Sequence, residues 1–534
     1  MVDKFFSDEV TIKSFRRVFY FTLIVGFAAQ LASYFYEYVY AYPDAISRAD
    51  IARRFYDSLT PGISQQLGTA WLPIPAVMLL PFTYFNFLWY TGLAGSIVNL
   101  TCFVITSLCI FLSVRLITEH RLSQYIAVFI FVINPNILYL QTTAMSEMIL
   151  MMFMTSSVYY LLKWNVTGEK VWFIYSACLT ALAVGSRYEG WTFALCIIIA
   201  VVLLCFGKNK TMVIRYSILY IAPTALFVGF WLYHNWSVYG DPIAFLRGEY
   251  SAGAWFEKGG RFNAKGDLLF SLVVYLNNIV QLIGTIPLLL FGVGVIIYFL
   301  VNKFRFSAIT PYVFLISIPV TIYLVYAGSI IIEMPNIEPY GYYNARYGVF
   351  IIPGVAFFIG YLSYKIYEYR YYNNLPYYIG YFVLALIIPL SYYYNWPKGA
   401  PVIVETAFFN NSRPEINRAS EFLRMNYRAG TIFYDGVNFS LKPWTKIDIK
   451  DRIYPESWEV GPKTLARPQD YASWILIDNK NPYYRLRDKI DPIILNRYYD
   501  LLYVDNGIEI YKRNAPIEPV TVDLNKKDEE EPLK

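Results

Sequence analysis

Cysteine, histidine and charged residues are scarce in this chain of 534 residues. It has five cysteines and two histidines, and charged residues make up 16% of the total, whereas a soluble average is roughly a quarter. His120 and His234 lie far apart, and we assign neither a catalytic or metal-binding role. The cysteines all fall within apolar segments, without zinc-ligand spacing: Cys102, Cys109, Cys178, Cys196 and Cys205. The sequence therefore indicates neither a disulfide framework nor a cysteine-histidine metal centre.

Apolar residues make up 57% of the chain and occur in long runs. A helix needs about 20 such residues to cross ~30 Å of hydrocarbon. Runs near this length, several of them short, occur at 17–38, 91–116, 123–141, 144–163, 171–186, 190–206, 213–234, 279–301, 308–328, 347–366 and 376–394. The sequence therefore predicts an α-helical polytopic membrane protein with about 11 transmembrane helices.

The basic residues indicate how these helices are oriented. The net charge of +6 is spread in short clusters between apolar runs and is not gathered on one domain, which does not favour nucleic-acid binding. Cytoplasmic loops are enriched in Lys and Arg. If the N-terminus is cytoplasmic, all of the basic clusters fall on the cytoplasmic side: Lys13, Arg16, Arg17, Arg115, Arg121, Lys163, Lys170, Lys208, Lys210, Arg215, Lys303, Arg305, Lys365 and Arg370. We expect a plasma-membrane protein with a cytoplasmic N-terminus and, because the number of spans is odd, an external C-terminus.

Three regions follow from these patterns. Residues 1–396 form a transmembrane domain whose first outer loop spans 39–90, and 397–513 form a small external α/β domain. This second domain has strand-like segments TIFYD and WILID and a hairpin that turns at Asn506–Gly507. The charged tail 514–534 is expected to be disordered. Sequons at Asn410 and Asn438 would lie outside.

The first outer loop contains two unusual segments. In ISRADIARRFYDSL, Ile46, Ile51 and Phe55 recur at helical spacing opposite arginines, which predicts an amphipathic helix at the membrane interface. A plain linker helix is the alternative. The next segment, SQQLGTAWLPIPAVMLLPF, is apolar, but its three prolines disfavour a regular spanning helix. We expect it to lie along the interface.

Charged residues near apolar spans are functional candidates, because burying them is costly. In the predicted topology six of them map to the outer face: Asp44, Glu147, Arg187, Glu189, Asp241 and Arg346. Such a set suits group transfer from a lipid phosphate. A carboxylate can take a proton from the acceptor, while arginines or a carboxylate-bound metal stabilise the departing phosphate. Two simpler interpretations stay open, namely that Arg187 and Glu189 form a structural ion pair and that Asp241 belongs to a turn.

Taken together, the motifs resemble the C-type (GT-C) glycosyltransferase superfamily, and in particular a mannosyltransferase-like branch. This superfamily includes the protein O-mannosyltransferases, the oligosaccharyltransferases and the lipid A aminoarabinose transferase. The motifs that carry the resemblance occur in order over residues 44–354: DAISRADIARRFYDSLTPG, QLGTAWLPIP, NPNILYLQTTAMSE, SRYEGW, YGDPIAF and NARYGVFIIPG.

The resemblance implies a polyprenyl-phosphate-sugar donor and an acceptor protein, lipid or lipid-linked glycan. Asp44 matches the catalytic aspartate of the first outer loop. Where members use a divalent metal, such as Mg or Mn, Glu147 matches a second acidic residue that would bind it with Asp44. We expect the substrate to be bound by Arg48, Arg187, Glu189 and Arg346.

The chain also departs from the pattern of its relatives. Ala76 stands where this branch often has histidine after the proline motif, the WWD signature of oligosaccharyltransferases is absent, and Asp44 is followed by Ala45 instead of glutamate. The missing WWD argues against en bloc transfer of an oligosaccharide to asparagine. A transporter or flippase of lipid-linked sugars is the rival interpretation, although it would place charges near the membrane midplane.

Overall fold

The computed structural model describes residues 9–59, 63–68, 70–208, 211–248, 251, 264–303, 305–373, 377–394, 398–435, 441–455, 457, 460–480 and 486–515. Asn438 and the tail after residue 515 lie outside these residues. The chain begins with a bundle of helices: α1 (Glu9–Phe35), α2 (Pro43–Arg54), α3 (Ile63–Gln66), α4 (Ile74–Thr83), α5 (Asn86–Thr91), α6 (Leu93–Ile117), α7 (Arg121–Val132), α8 (Pro135–Leu140), α9 (Glu147–Thr167), α10 (Lys170–Val184), α11 (Glu189–Lys208), α12 (Met212–Tyr239), α13 (Ala244–Arg247), α14 (Leu268–Ile283), α15 (Thr285–Asn302), α16 (Ser317–Tyr326), α17 (Ile352–Asn373) and α18 (Tyr377–Tyr393).

Six described helices are long and apolar enough to cross a membrane. They are Thr11–Phe35, Leu93–Ile117, Glu189–Gly207, Val213–Tyr239, Thr285–Asn302 and Ala345–Tyr369. Of the other predicted runs, 144–163 is occupied by α9 and the rest by shorter helices. Every predicted run therefore contains helix. The predicted α-helical membrane fold is confirmed.

Two predicted spans are interrupted in the structure. The run 123–141 divides after α7, because Asn134 caps the next helix by accepting hydrogen bonds from Asn136 N at 3.0 Å and Ile137 N at 3.3 Å. The run 279–301 divides at Gly284, whose φ of +85° suits glycine. Both breaks occur where the sequence offers a cap or a flexible residue.

The segment between α8 and α9 is held tightly against α6. A Cβ added to Gly95 would lie 2.4 Å from Ala144 Cα, so only glycine allows this approach. Asn99 Nδ2 donates hydrogen bonds to the carbonyl oxygens of Thr143 at 2.7 Å and Met145 at 2.6 Å. These contacts fix the backbone that leads into Glu147.

Helix α2 of the first outer loop forms as predicted, but it is largely buried and does not expose the polar face expected of an amphipathic helix. Arg48, Asp50 and Arg53 are each at most 8% exposed, as are its apolar residues Ile46 and Ala49. Local spacing suggested a polar face in water, whereas the segment from α4 to α5 covers Arg53 and the C-terminal region covers Asp50. The proline-rich segment forms α4, whose ten residues are too few to span a membrane.

The C-terminal region begins with α19 (Pro401–Ser412) and α20 (Pro414–Asn426). Val402 of α19 packs in the core of the membrane domain, whereas α20 packs on the sheet. The remaining elements are β1 (Ile432–Tyr434), β2 (Arg452–Ile453), α21 (Val460–Ala466), α22 (Pro468–Tyr471), β3 (Trp474–Asp478), α23 (Pro492–Tyr498), β4 (Tyr499–Asp505) and β5 (Ile508–Arg513). The sheet order is β2-β1-β3-β5-β4, with β1 parallel to β2 and β3, and β5 antiparallel to β3 and β4.

The sheet domain contacts α2 directly through ionic groups. Asp50 Oδ2 lies 3.1 Å from Arg452 Nη1, and Asp50 Oδ1 accepts a hydrogen bond from Trp89 Nε1 at 3.0 Å. Asp57 accepts hydrogen bonds from the backbone nitrogens of Ile449 and Lys450 at 3.4 and 3.3 Å. The outer loop is therefore enclosed between the helical bundle and the sheet domain.

Candidate active site

Asp44 and Arg346 form an ion pair between two chain segments that are far apart in sequence. Asp44 lies in the first turn of α2, which starts at Pro43 because proline suits the first helical position. Arg346 Nη2 donates to Asp44 Oδ2 at 2.7 Å, and its guanidinium lies 4.7 Å from the centre of the Tyr42 ring. The Asp44 side chain is 32% exposed. A substrate can therefore reach this carboxylate.

Glu147 joins a second cluster of charges to this pair. It is the first residue of α9 and is fully buried. Arg187 Nη1 donates to Glu147 Oε1 at 2.8 Å, and Arg187 Nη2 donates to Glu189 Oε1 at 2.7 Å. Arg346 Nε lies 3.4 Å from Glu147 Oε1. Glu147 thus links the Arg187–Glu189 pair to the Asp44–Arg346 pair.

Arg48 lies one turn after Asp44 on the same face of α2. It is 8% exposed, its Nε has no hydrogen-bond partner, and none of the described residues forms an ion pair with it. Its guanidinium lies 4.3 Å from the centre of the Trp71 ring. A small, mostly apolar pocket adjoins it, lined by Ile51, Leu67, Trp71, Leu72, Pro73, Pro75 and Ala76. A buried cation without an anion is costly, so this arrangement favours an anionic ligand.

The structure therefore brings together five of the six predicted outer charged residues, with Arg48 beside them. Asp241 is the exception. Its Oδ1 accepts a hydrogen bond from Ile243 N at 3.0 Å, which is the geometry of a local turn. No contact joins Asp241 to the cluster within the described part of the chain.

Sequence reasoning did not find Glu405, which lies on α19 and is fully buried. Its Oε1 accepts hydrogen bonds from Tyr42 Oη at 2.7 Å and Asn344 N at 2.6 Å, and its Oε2 accepts one from Ala345 N at 3.0 Å. Tyr42 and Asn344 each precede a member of the Asp44–Arg346 pair by two residues. The signal that could have identified Glu405 is its position as the single acid in the apolar segment VIVETAFF.

The charges in this cluster influence one another strongly. Burial works to raise the pKa of Asp44, but Arg346 and Arg48 outweigh it and hold the pKa below its ordinary value. Burial and the positive charge of Arg187 lower the pKa of Arg48 to about 10. Burial works against the charge on Arg187, whereas Glu147 and Glu189 raise its pKa. Asp44 is therefore ionised at neutral pH beside three guanidinium groups.

The donor set does not suit a divalent metal held by Asp44 and Glu147. Each carboxylate is already in contact with an arginine, and Mg or Mn prefers several oxygen ligands free of such partners. No group of three or more His, Cys, Asp and Glu with metal-binding geometry occurs within the described residues.

Comparison with solved structures identifies the fold. The chain is similar to ArnT from Cupriavidus metallidurans bound to undecaprenyl phosphate, with a TM-score of 0.55, 11% identity, and coverage of 93% of this chain and 99% of ArnT. The chain has the GT-C glycosyltransferase fold. The apo state of ArnT gives a TM-score of 0.53 with 11% identity, covering 91% of this chain and 97% of that one.

Two further comparisons agree with the GT-C fold. The Archaeoglobus fulgidus oligosaccharyltransferase tethered to an acceptor peptide gives a TM-score of 0.50 with 12% identity, covering 93% of this chain and 74% of that one. A family model described as dolichyl-phosphate-mannose-protein mannosyltransferase matches residues 85–234. None of the curated proteins matches the sequence. The predicted resemblance to the GT-C superfamily is confirmed, and these comparisons support a membrane glycosyltransferase of this type.

Proposed function

We propose that this protein transfers a sugar from a polyprenyl-phosphate donor to an acceptor on the outer face of the membrane. The observation that carries the proposal is the buried Arg48, which has no ion-pair partner among the described residues, beside the partly exposed carboxylate of Asp44. The guanidinium of Arg48 suits binding of the donor phosphate, and the carboxylate of Asp44 suits taking a proton from the acceptor. ArnT, whose fold this chain shares, was crystallised with undecaprenyl phosphate.

Asp44 is the proposed base, and its exposure sets it apart from the other acids. Glu147 has a fully buried side chain, and Glu189 is 14% exposed and paired with Arg187. Asp44 is 32% exposed and its pKa is lowered, so it is ionised and can reach an acceptor hydroxyl or amide. Glu147 and Glu189 hold Arg187 in place.

In the proposed reaction Asp44 accepts the acceptor's proton while the acceptor oxygen or nitrogen attacks the anomeric carbon of the sugar. The bond from that carbon to the phosphate oxygen breaks, and its electron pair leaves with the polyprenyl phosphate. The phosphate therefore gains a negative charge, which Arg48 and Arg346 are placed to stabilise.

The donor phosphate is proposed to lie beside Arg48, with the adjoining apolar pocket contacting the first part of the lipid. That pocket is small, with a volume of about 10 Å³, so the lipid would contact its apolar rim and would not enter it. The rest of a polyprenyl chain would then extend into the bilayer. The experiment below identifies the sugar and whether the acceptor is a protein, a lipid or a lipid-linked glycan.

Purified protein should be incubated with a panel of labelled polyprenyl-phosphate sugars and a membrane extract. We expect release of polyprenyl phosphate together with labelling of one acceptor class, and equal transfer with and without a chelator. Movement of an intact lipid-linked sugar across vesicles without cleavage of the phosphate bond would instead indicate the flippase. Loss of transfer when a chelator is added would support the divalent metal that the sequence predicts at Asp44 and Glu147.

A further inference from the structure

An apolar groove lies between α1, α7 and α18. It encloses about 530 Å³, within the range of roughly 300–1,000 Å³ that is typical of ligand pockets. Its walls include Val18, Phe21, Ile126, Phe129, Phe382 and Ala385. Phe21 and Phe382 are exposed in the bundle, so the groove opens on the surface that faces lipid. Walls of this kind suit a hydrocarbon chain.

Two of the residues that line this groove carry polar groups without partners. Arg17 of α1 is exposed, and none of the described residues forms an ion pair with it. The hydroxyl of Tyr125 on α7 is buried and has no hydrogen-bond partner among the described residues. Leaving a buried hydroxyl unpaired costs roughly 1–3 kcal/mol. No acidic residue is among the described residues that line the groove, so both groups suit an anion that can accept hydrogen bonds.

The groove lies far from the candidate active site. Helix α1 runs from the groove at Arg17 to Phe35, a rise of about 27 Å, and the chain then continues to Asp44. Arg16 and Arg121 lie at the same end of the bundle as Arg17 and belong to the clusters predicted to be cytoplasmic. Anionic lipids are concentrated in the cytoplasmic leaflet, and basic pockets between helices bind their headgroups.

We propose that this groove binds one anionic glycerophospholipid. Its phosphate pairs with Arg17 and accepts a hydrogen bond from the Tyr125 hydroxyl, and one acyl chain lies along the groove. Because α1 has few buried residues in its apolar stretch, the lipid would also attach this helix to α18. A zwitterionic headgroup is disfavoured, because no acidic residue of the groove would balance its ammonium group.

Native mass spectrometry of the full chain in detergent can test this with phosphatidylglycerol, phosphatidylcholine and undecaprenyl phosphate as probes. We expect one phosphatidylglycerol to be retained in preference to phosphatidylcholine. Arg17→Ala should weaken its binding about five-fold, the effect of one cation near a lipid surface. Tyr125→Phe should weaken binding, and Ala385→Trp, which fills the groove, should abolish it. Arg16→Ala and Val383→Trp are matched controls, since these exposed residues do not line the groove.

A photoreactive phosphatidylglycerol gives a second measurement on the unmodified protein, independent of how the variants fold. We expect cross-links to peptides that contain Phe129 or Phe382. Equal retention of phosphatidylcholine, preferred binding of undecaprenyl phosphate, equal losses in Arg16→Ala and Arg17→Ala, or cross-links elsewhere would each overturn the proposal.

Discussion

Asp44 combines a negative charge with access to substrate, and its replacement tests the proposed base. Asp44→Asn keeps the size of the side chain but removes its ability to accept a proton. We expect a folded protein that still binds donor, with transfer lowered about 10²-fold or more. Single-turnover kinetics with saturating donor measure this loss.

Asp241→Asn is the matched control, because Asp241 serves only a local turn in the structure. Its transfer should stay close to normal. Because the pKa of Asp44 is lowered, the base is lost only when the pH falls through that lowered value, below the ordinary value of about 3.9. Transfer should therefore show no Asp44-dependent decline between pH 8 and pH 5. Near-normal transfer by Asp44→Asn would contradict the assignment.

Arg48 offers a test of donor binding that leaves every ion pair of the described residues intact. Arg48→Gln should weaken donor binding about 10- to 100-fold, the effect of a hydrogen bond to a charged group. Thermal stability should not fall, because no carboxylate loses its partner. Arg54→Gln, on the same helix but directed at Tyr454, is the control. Unchanged donor affinity in a direct binding assay would remove Arg48 from the site.

Glu405 is expected to act through its neighbours, as a positioning residue. Glu405→Ala removes all three hydrogen bonds that hold the backbone before Arg346 and the ring of Tyr42. We expect kcat to fall about ten-fold or more, as is common for misplaced catalytic groups. Tyr42→Phe should lower kcat by less.

A double-mutant cycle of these two changes separates positioning from general loss of stability. The double variant should be no slower than Glu405→Ala alone, since both act through one contact. Independent, additive losses would contradict a shared role. Glu415→Gln is a control, because this buried acid pairs with Arg413 in the C-terminal region and should lower stability without changing kcat.

At the scale of elements, α2 depends on the sheet domain for its buried charges. Asp50→Asn leaves the guanidinium of Arg452, which is 2% exposed, without its carboxylate. We expect a destabilisation of about 3–5 kcal/mol, together with reduced transfer because α2 carries Asp44 and Arg48. Chemical denaturation in detergent measures the first effect. Asp505→Asn breaks the more exposed pair with Arg418 and should leave the free energy of unfolding nearly unchanged.

The helices could be predicted from the sequence because their apolar runs are nearly as long as a membrane is thick. The environment of α2 could not. Its polar residues looked solvent-exposed by local spacing. Asp50 is instead covered by Arg452, about four hundred residues later, and Arg53 is covered by the segment from α4 to α5. The two-residue strand β2 gave no local signal for the same reason, since only its pairing with β1 defines it.

For the candidate site, the sequence placed the charged residues on one side of the membrane, and the structure brings most of them together. Their spacing from the ends of apolar runs carried that information. This spacing could not distinguish Asp241, which accepts a hydrogen bond within its own turn, from Glu189, which pairs with Arg187. Glu405 was missed because hydrogen bonds to distant backbone leave no pattern in the local sequence.

For the whole molecule, the expected orientation is a cytoplasmic N-terminus and an external sheet domain. Val504→Cys, at an exposed position on β4, should react with a membrane-impermeant reagent in intact cells. Arg305→Cys, in an exposed basic segment, should react only after permeabilisation. Native cysteines are replaced first. Protection of Val504→Cys, or labelling of Arg305→Cys in intact cells, would reverse the orientation.

The contact between Asp50 and Arg452 joins residues 402 positions apart, which has a consequence for biosynthesis. At about 5–20 residues per second, the ribosome needs roughly 20–80 s to make the second residue after the first. During that time the nascent outer loop carries carboxylates and arginines whose permanent partners have not been translated. Quality-control proteases therefore have a defined window in which to recognise an unfinished chain, and products that end before Arg452 are expected to be degraded.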